Sequence, residues 1–284
     1  MATRILSPLA IAAFLCVSPV AQAQSVTVAF DDPGGTYSSY YDAISSATVA
    51  AGRQWLDTFE SVATASIDVL IGFDLNIQTA SGRNIAGLLS PSGFMDSGAG
   101  IELRTGTDIN GDVPDAQFNF GVGASRYLQD ELWFGTGDVP LAKTDGQSVL
   151  LHEFGHAFGF NGFRDYSTGI SPFGDLSVFD SHMSADALGQ WFFTGDTAGA
   201  VALTAGNFYH YNALGLMNGV SFDRGTQYAI GALDRAIFTD LGFILAGTGG
   251  GDAVAPIPEP ETYALLMAGL GVVGFVARRR GERS

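Results

Sequence analysis

The sequence predicts an α+β fold in which two lobes flank a cleft, because a helix and strands come first and a motif-bearing helix with an irregular stretch comes second. Three observations lead there. Tyr41, Ile44, Ala47, Ala51, Trp55 and Phe59 recur near helical spacing between Tyr37 and Phe59. Between Ala65 and Ile77 the residues are β-branched and apolar, and Ile67, Val69, Ile71 and Phe73 alternate onto one face of a strand. From Asp145 to Phe160 the pattern is helical again, with Val149, Leu150, Phe154, Ala157 and Phe158 as the buried flank.

Taken in order, the chain begins with an address. Arg4 is followed by an apolar run from Leu6 to Val20 and by Ala21-Gln22-Ala23. A short positive start, an apolar stretch too short to span a bilayer and an A-x-A site make residues 1–23 a secretory signal. The only cysteine, Cys16, falls inside it, so the exported part has no disulfide. The helix of Tyr37–Phe59 and the strand of Ala65–Ile77 follow. A glycine-rich loop comes next, then short strands at Gly100–Arg104 and Ala116–Gly121. The strand from Ala116 to Phe120 is a candidate cleft edge, where an extended substrate would add by backbone hydrogen bonds. After the motif helix, Asn161 to about Leu216 reads as loop, and Ile230–Leu241 as a closing helix with Leu233, Ile237 and Leu241 facing in. No internal repeat is visible.

Charge excludes some functions. The 284 residues hold 29 acidic and 13 basic side chains, a net charge of −16. This acidity, with Lys143 the only lysine, argues against a nucleic-acid binder, whose phosphate contacts need Lys and Arg. Residues 24–257 keep eight basic and 26 acidic side chains, a net charge of −18. The positive charge belongs mainly to the two ends.

The C-terminal end is a linker followed by a tail of three parts. Gly247 to Ile257 is a Gly/Pro linker. Pro258-Glu259-Pro260 follows, then an uncharged, mostly apolar segment from Thr262 to Ala277, then Arg278-Arg279-Arg280. Sixteen residues are marginal for a span that needs roughly 20, and the arginines would hold that end in the cytoplasm. Residues 258–284 resemble the PEP-CTERM sorting signal of Gram-negative bacteria. The resemblance implies transient inner-membrane association, recognition by an exosortase and delivery to the cell surface or beyond.

Chemistry concentrates at His152-Glu153-Phe154-Gly155-His156, an H-E-x-x-H sequence. Asp145 or Ser148 can cap the helix that carries it. His152 and His156, at i and i+4, share one face of that helix and can chelate one Zn²⁺ at about 2.0–2.1 Å. Glu153 stands beside them, placed to take a proton from an attacking water and deliver it to a leaving amine. With four histidines and seven glutamates, chance would produce this pattern in roughly one such chain per thousand. The bland alternative is two satisfied histidines on a core helix.

A catalytic zinc takes three protein ligands and leaves one position open. The motif continues to Gly159 and then Gly162. It resembles the metzincin pattern H-E-x-x-H-x-x-G-x-x-H up to its glycine, but its third histidine would fall where Gly162 stands. His210 ranks first as the third ligand, ahead of His182, Asp165, Asp175 and Asp180. It lies in Asn207-Phe208-Tyr209-His210-Tyr211, seven residues before Met217. Leu214-Gly215-Leu216-Met217-Asn218-Gly219 resembles the metzincin Met-turn, and a distant third histidine just before it resembles the leishmanolysin-type arrangement. The segment Ile230–Phe243 resembles the closing helix of secreted bacterial metzincin-like proteases. The resemblance implies a zincin fold over residues 24–246, zinc between the lobes and peptide-bond hydrolysis. Tyr209, Tyr211 and Tyr228 are candidates for a second oxyanion donor. The expectation is a secreted zinc endopeptidase acting on protein or peptide; the alternative is a non-catalytic surface or matrix protein with a zincin-like domain.

A weaker signal concerns Ca²⁺. Asp108-Ile109-Asn110-Gly111-Asp112-Val113-Pro114-Asp115 resembles the start of a calcium loop. Val113 and Asn119 break the EF-hand pattern at loop positions 6 and 12. A turn entering the next strand is the reading these residues favour.

Overall fold

The computed structural model describes residues 24–60, 65–90, 92–172, 174, 176–218 and 222–247. The signal segment 1–23, the sorting segment 258–284, Asp175 and Gly219 lie outside the described residues. In chain order, β1 (Ser25–Asp31) leads to α1 (Tyr41–Thr58), β2 (Ser66–Asp74), β3 (Ala80–Asn84), the hairpin of β4 (Gly87–Leu89) and β5 (Met95–Ser97), α2 (Gly98–Thr105) and β6 (Ala116–Gly121). A π-helical turn at Tyr127–Glu131 precedes β7 (Leu132–Trp133), β8 (Thr144–Asp145) and α3 (Gly146–Phe158). Then come α4 (Val178–Ser181), β9 (Met183–Ala185), β10 (Trp191–Gly195), β11 (Gly199–Thr204), β12 (Asn207–Tyr211) and α5 (Ala232–Asp240).

The arrangement is mixed α/β with several sheets. One four-stranded sheet has the order β1-β2-β6-β3, with β3 antiparallel to β6 and the other pairs parallel. Helix α1 is the crossover between the parallel strands β1 and β2, and it packs on α3. The approach is close: a Cβ on Gly52 of α1 would stand 2.7 Å from Val26 and 2.9 Å from Phe154. Trp55 is fully buried at this contact, and its indole N–H donates to the Leu151 carbonyl at 2.9 Å. Its ring meets Phe59, Phe158 and Phe238, so the motif helix is anchored along the flank that the sequence marks as apolar.

Three sequence expectations are corrected. Gly100–Arg104 is not a strand but lies within α2. Ser97 accepts from the Gly100 N–H at the start, and Gly106, at φ 68°, ends the helix. A short apolar run does not separate helix from strand by period, and these caps decide it. The stretch from Asn161 to Leu216 is not mostly loop: it contains α4 and a second, antiparallel sheet of order β12-β11-β10-β9. Its strands are short and separated by glycine turns such as Gly199 (φ 68°) and Gly206 (φ 72°). The Asp240 carboxylate of α5 accepts from the Thr197 and Ala198 N–H groups at 2.8 Å each, tying the β10–β11 turn to the last helix. Finally, the strand Ala116–Phe120 is no cleft edge. It is β6, enclosed between β2 and β3, and the sheet's edge is β3, from the segment expected as glycine-rich loop. Among the described residues no helix is long and apolar enough to cross a membrane; the apolar segment Thr262–Ala277 lies outside them.

Candidate metal centre

Helix α3 starts at Asp145, whose carboxylate accepts from the Ser148 N–H at 2.9 Å and from the Ser148 hydroxyl at 2.6 Å. It ends at Gly159 (φ 128°), where the chain takes a conformation that favours glycine. Between these caps every residue except Gln147 is buried, including His152, Glu153 and His156. Both imidazoles leave α3 on one face, and β12 brings a third to meet them. His152 Nε2 and His156 Nε2 lie 3.0 Å apart. His210 Nε2 is 3.2 Å from each of them.

The outer nitrogens fix two of these rings. His152 Nδ1 is 2.7 Å from the Leu216 carbonyl, and His156 Nδ1 is 2.8 Å from the Phe160 carbonyl. A carbonyl only accepts, so each Nδ1 carries the proton and each Nε2 presents a lone pair. His210 Nδ1 is buried and makes no such bond among the described residues. Burial lowers His152 to about 3, His156 to about 4 and His210 to about 2, and the neighbouring rings push His152 and His210 further down. All three are therefore neutral at pH 7. The Nε2 lone pairs of His152 and His156, 3.0 Å apart, repel each other unless a cation or a donated proton stands between them. Tetrahedral nitrogens at about 2.0–2.1 Å from zinc would be about 3.3 Å apart, so the donor set fits that ion in chemistry and size.

Two contacts around the triad explain glycines of the motif. Gly155 faces the Met217 side chain so closely that a Cβ there would overlap its sulfur. Met217 is fully buried, its N–H donates to the Tyr211 hydroxyl at 3.1 Å, and its neighbour Leu216 supplies the carbonyl on His152. The turn before Met217 therefore holds His152 from below. Gly155→Ala is expected to cost about 1–3 kcal/mol, as overpacking does, with the shift read from the urea midpoint. Gly162 packs on the Asp180 carboxylate, 2.5 Å from where its Cβ would be. A histidine at that position would have to displace Asp180, which explains why the third histidine comes from β12.

The other ligand candidates are occupied elsewhere. Asp180 is wholly buried and accepts from the N–H groups of Phe163 and Ser177 and from the Tyr209 hydroxyl. Arg164 pairs with Asp180 at 3.7 Å, not with Asp165. Asp165 is engaged by Ser167 and Thr168, whose donors hold its carboxyl down at about 2. His182 Nδ1 is 3.0 Å from the Thr194 carbonyl and its ring stacks on Phe193, away from the triad.

Glu153 points into the same space. Burial raises its carboxyl to about 8, opposed by the Gly82 backbone N–H of β3. A Cβ on Gly82 would stand 2.7 Å from the Glu153 side chain, so the edge strand lies directly against it. The triad and Glu153 open onto a cavity of about 630 Å³, bounded by Thr79–Gly82 on one side and by Tyr166, Tyr209 and Asn218 on the other. Arg224 and Glu131 form an ion pair at its wall.

Of the tyrosines singled out, only Tyr209 lines this cavity. The Tyr211 hydroxyl donates to Asp234, and the Tyr228 hydroxyl pairs with Asp223. Neither faces the triad. Sequence reasoning missed Tyr127, which lines the cavity and whose phenol is raised by burial and by the Glu153 charge. The signal for it is faint. It opens the π-helical turn just after Arg126, the only described non-glycine residue with positive φ (49°).

The tail matches the family model of the PEP-CTERM protein-sorting motif over residues 256–280, starting two residues before the expected boundary. The chain thus carries a signal for export and for surface or extracellular sorting in Gram-negative bacteria, read by an exosortase. No curated protein matches the chain in sequence.

Proposed function

We propose that the exported core is a zinc-dependent endopeptidase of zincin, metzincin-like fold, secreted or held at the cell surface. The observation that carries this reading is the convergence of three neutral imidazoles beside the buried carboxyl of Glu153, at the wall of an open cavity. His152, His156 and His210 would hold the metal. When bound, zinc supplies Lewis acidity, polarising a carbonyl and making water a better nucleophile at neutral pH. Glu153 accepts the proton at its carboxylate and passes it to the amine that leaves. Burial raises this carboxyl, and a cation on the neighbouring triad would draw it back towards the carboxylate that accepts a proton.

The substrate class follows from the edge strand. β3 pairs with β6 along one side only, and Ala80–Gly82 line the cavity beside Glu153. An extended peptide can add there through main-chain hydrogen bonds, with its scissile carbonyl at the triad. Tyr127 and Tyr209 stand at the same cavity, and Tyr127 is the nearer to Glu153 in its electrostatics. The test is digestion of casein by the purified full chain. New amino termini should appear, stop with a chelator and return with added zinc. Bound zinc with no new termini would favour the non-catalytic surface protein that the sorting signal alone allows.

A further inference from the structure

We propose that Glu102, Asp108 and Asp115, with Asn110, form a second cation site selective for Ca²⁺, separate from the histidine triad. Glu102 comes from α2, Asp108 and Asn110 from the loop that follows it, and Asp115 from the residue before β6. One carboxylate oxygen from each of the three acids lies within 4.8 Å of the others. Glu102 and Asp115 are each only 3% exposed. None of the three acids forms an ion pair with a basic side chain among the described residues.

An acidic cluster alone does not make a site; the orphaned oxygens do. Asp115 Oδ2 accepts from the Asp68 N–H at 2.7 Å, but Asp115 Oδ1 is buried with no donor. Asn110 Oδ1 is buried and donor-free as well, while its Nδ2 donates to the Val113 carbonyl. Buried acceptors cost free energy when unmatched, and buried like charges repel in a medium of low dielectric. A cation answers both demands at once. The donors are all oxygen, which selects a hard ion. Ca²⁺ takes 6–8 oxygens at 2.3–2.6 Å, so its ligands lie up to about 5 Å apart, and carboxylate oxygens within 4.8 Å of one another can share one ion.

The arrangement differs from an EF-hand in a definable way. The loop supplies its ligands from Asp108 to Asp115, and the remaining carboxylate comes from the preceding helix, not from loop position 12. Glu102 Oε1 also accepts from the Ser66 N–H at 2.8 Å. A cation here would clamp α2, the loop and the start of β2, the neighbour of β6 in the sheet that carries β3. Sites of this kind in extracellular modules bind with Kd of about 10⁻⁴–10⁻³ M, matched to calcium outside the cell.

The experiment is thermal unfolding of the metal-free full chain at pH 7.5, alone and with 5 mM Ca²⁺ or Mg²⁺. Calcium should raise Tm by about 5 °C and magnesium by less than half of that. Asp108→Asn keeps the turn acceptor at an exposed position, so the fold is not at stake, and it should weaken Ca²⁺ binding about tenfold by calorimetry. His210→Ala should retain the calcium response, which separates this site from the triad. No rise with calcium, an equal rise with magnesium, an unchanged response in Asp108→Asn or a lost response in His210→Ala would overturn the proposal. Stability that falls from pH 5 to pH 8 and ignores calcium would also overturn it, since a shared proton would then hold the pair.

Discussion

Glu153→Ala is expected to reduce kcat for peptide hydrolysis by about 10²–10⁴-fold, the worth of a positioned general base, while the protein still binds zinc. The separation of the two readouts is the point. Glu153 does not contribute a nitrogen to the triad, and its removal leaves all three Nε2 atoms and both carbonyl anchors in place. Its backbone sits within α3, where alanine is the best helix former, so the fold is preserved. Glu153→Gln should behave in the same way, because an amide keeps the shape and loses the proton acceptor. Activity within a few-fold of the parent in either variant would remove Glu153 from the mechanism.

His210→Ala should lower zinc affinity more than about 100-fold, beyond what losing an outer hydrogen bond to a ligand costs. Hydrolysis should be lost with it at low free zinc. His210 is the proposed ligand that brings the second sheet to α3, 3.2 Å from both motif histidines. His182→Ala is the control, since His182 ends α4, stacks on Phe193 of β10 and stands outside the triad, so it should leave both readouts unchanged. A competition titration against a zinc-binding dye measures both variants. Equal losses for the two would contradict the assignment of His210.

The residues of the candidate site were more legible than the fold around them. H-E-x-x-H is local: its spacing alone puts two imidazoles on one helix face, and the apolar residues from Val149 to Phe158 mark the helix as a buried one. The expectation for α1 and β2 succeeded for the same reason, a period sustained over many residues. His210 was reachable from its distance to Met217, although 54 residues separate it from His156. What failed was set by contacts distant in sequence or by short segments. Gly100–Arg104 alternates Ile101 and Leu103 with charged residues as a strand would, and its caps at Ser97 and Gly106 mark it as helical. The sheet of β9–β12 consists of strands of three to six residues, too short for a period to emerge. The edge strand β3 is Ala-Ser-Gly-Arg-Asn, with no strand propensity, and it forms because β6 offers it a partner. Its Gly82 is explained only by Glu153 lying against it, a contact that no local pattern encodes. Position 162 shows the converse. The missing third histidine looked like a defect in the motif, and Asp180 is its structural reason.

The central claim is one metal, held by three histidines, serving one hydrolytic reaction. The most direct test titrates the metal-free full chain with zinc while following peptide hydrolysis and bound zinc together. At this acidic chain, calcium is held constant so that its own site does not drift. Activity should be absent at the start, rise linearly with zinc and break at one equivalent per chain. One equivalent bound tightly, with no hydrolysis of any peptide at any point of the titration, would contradict the account.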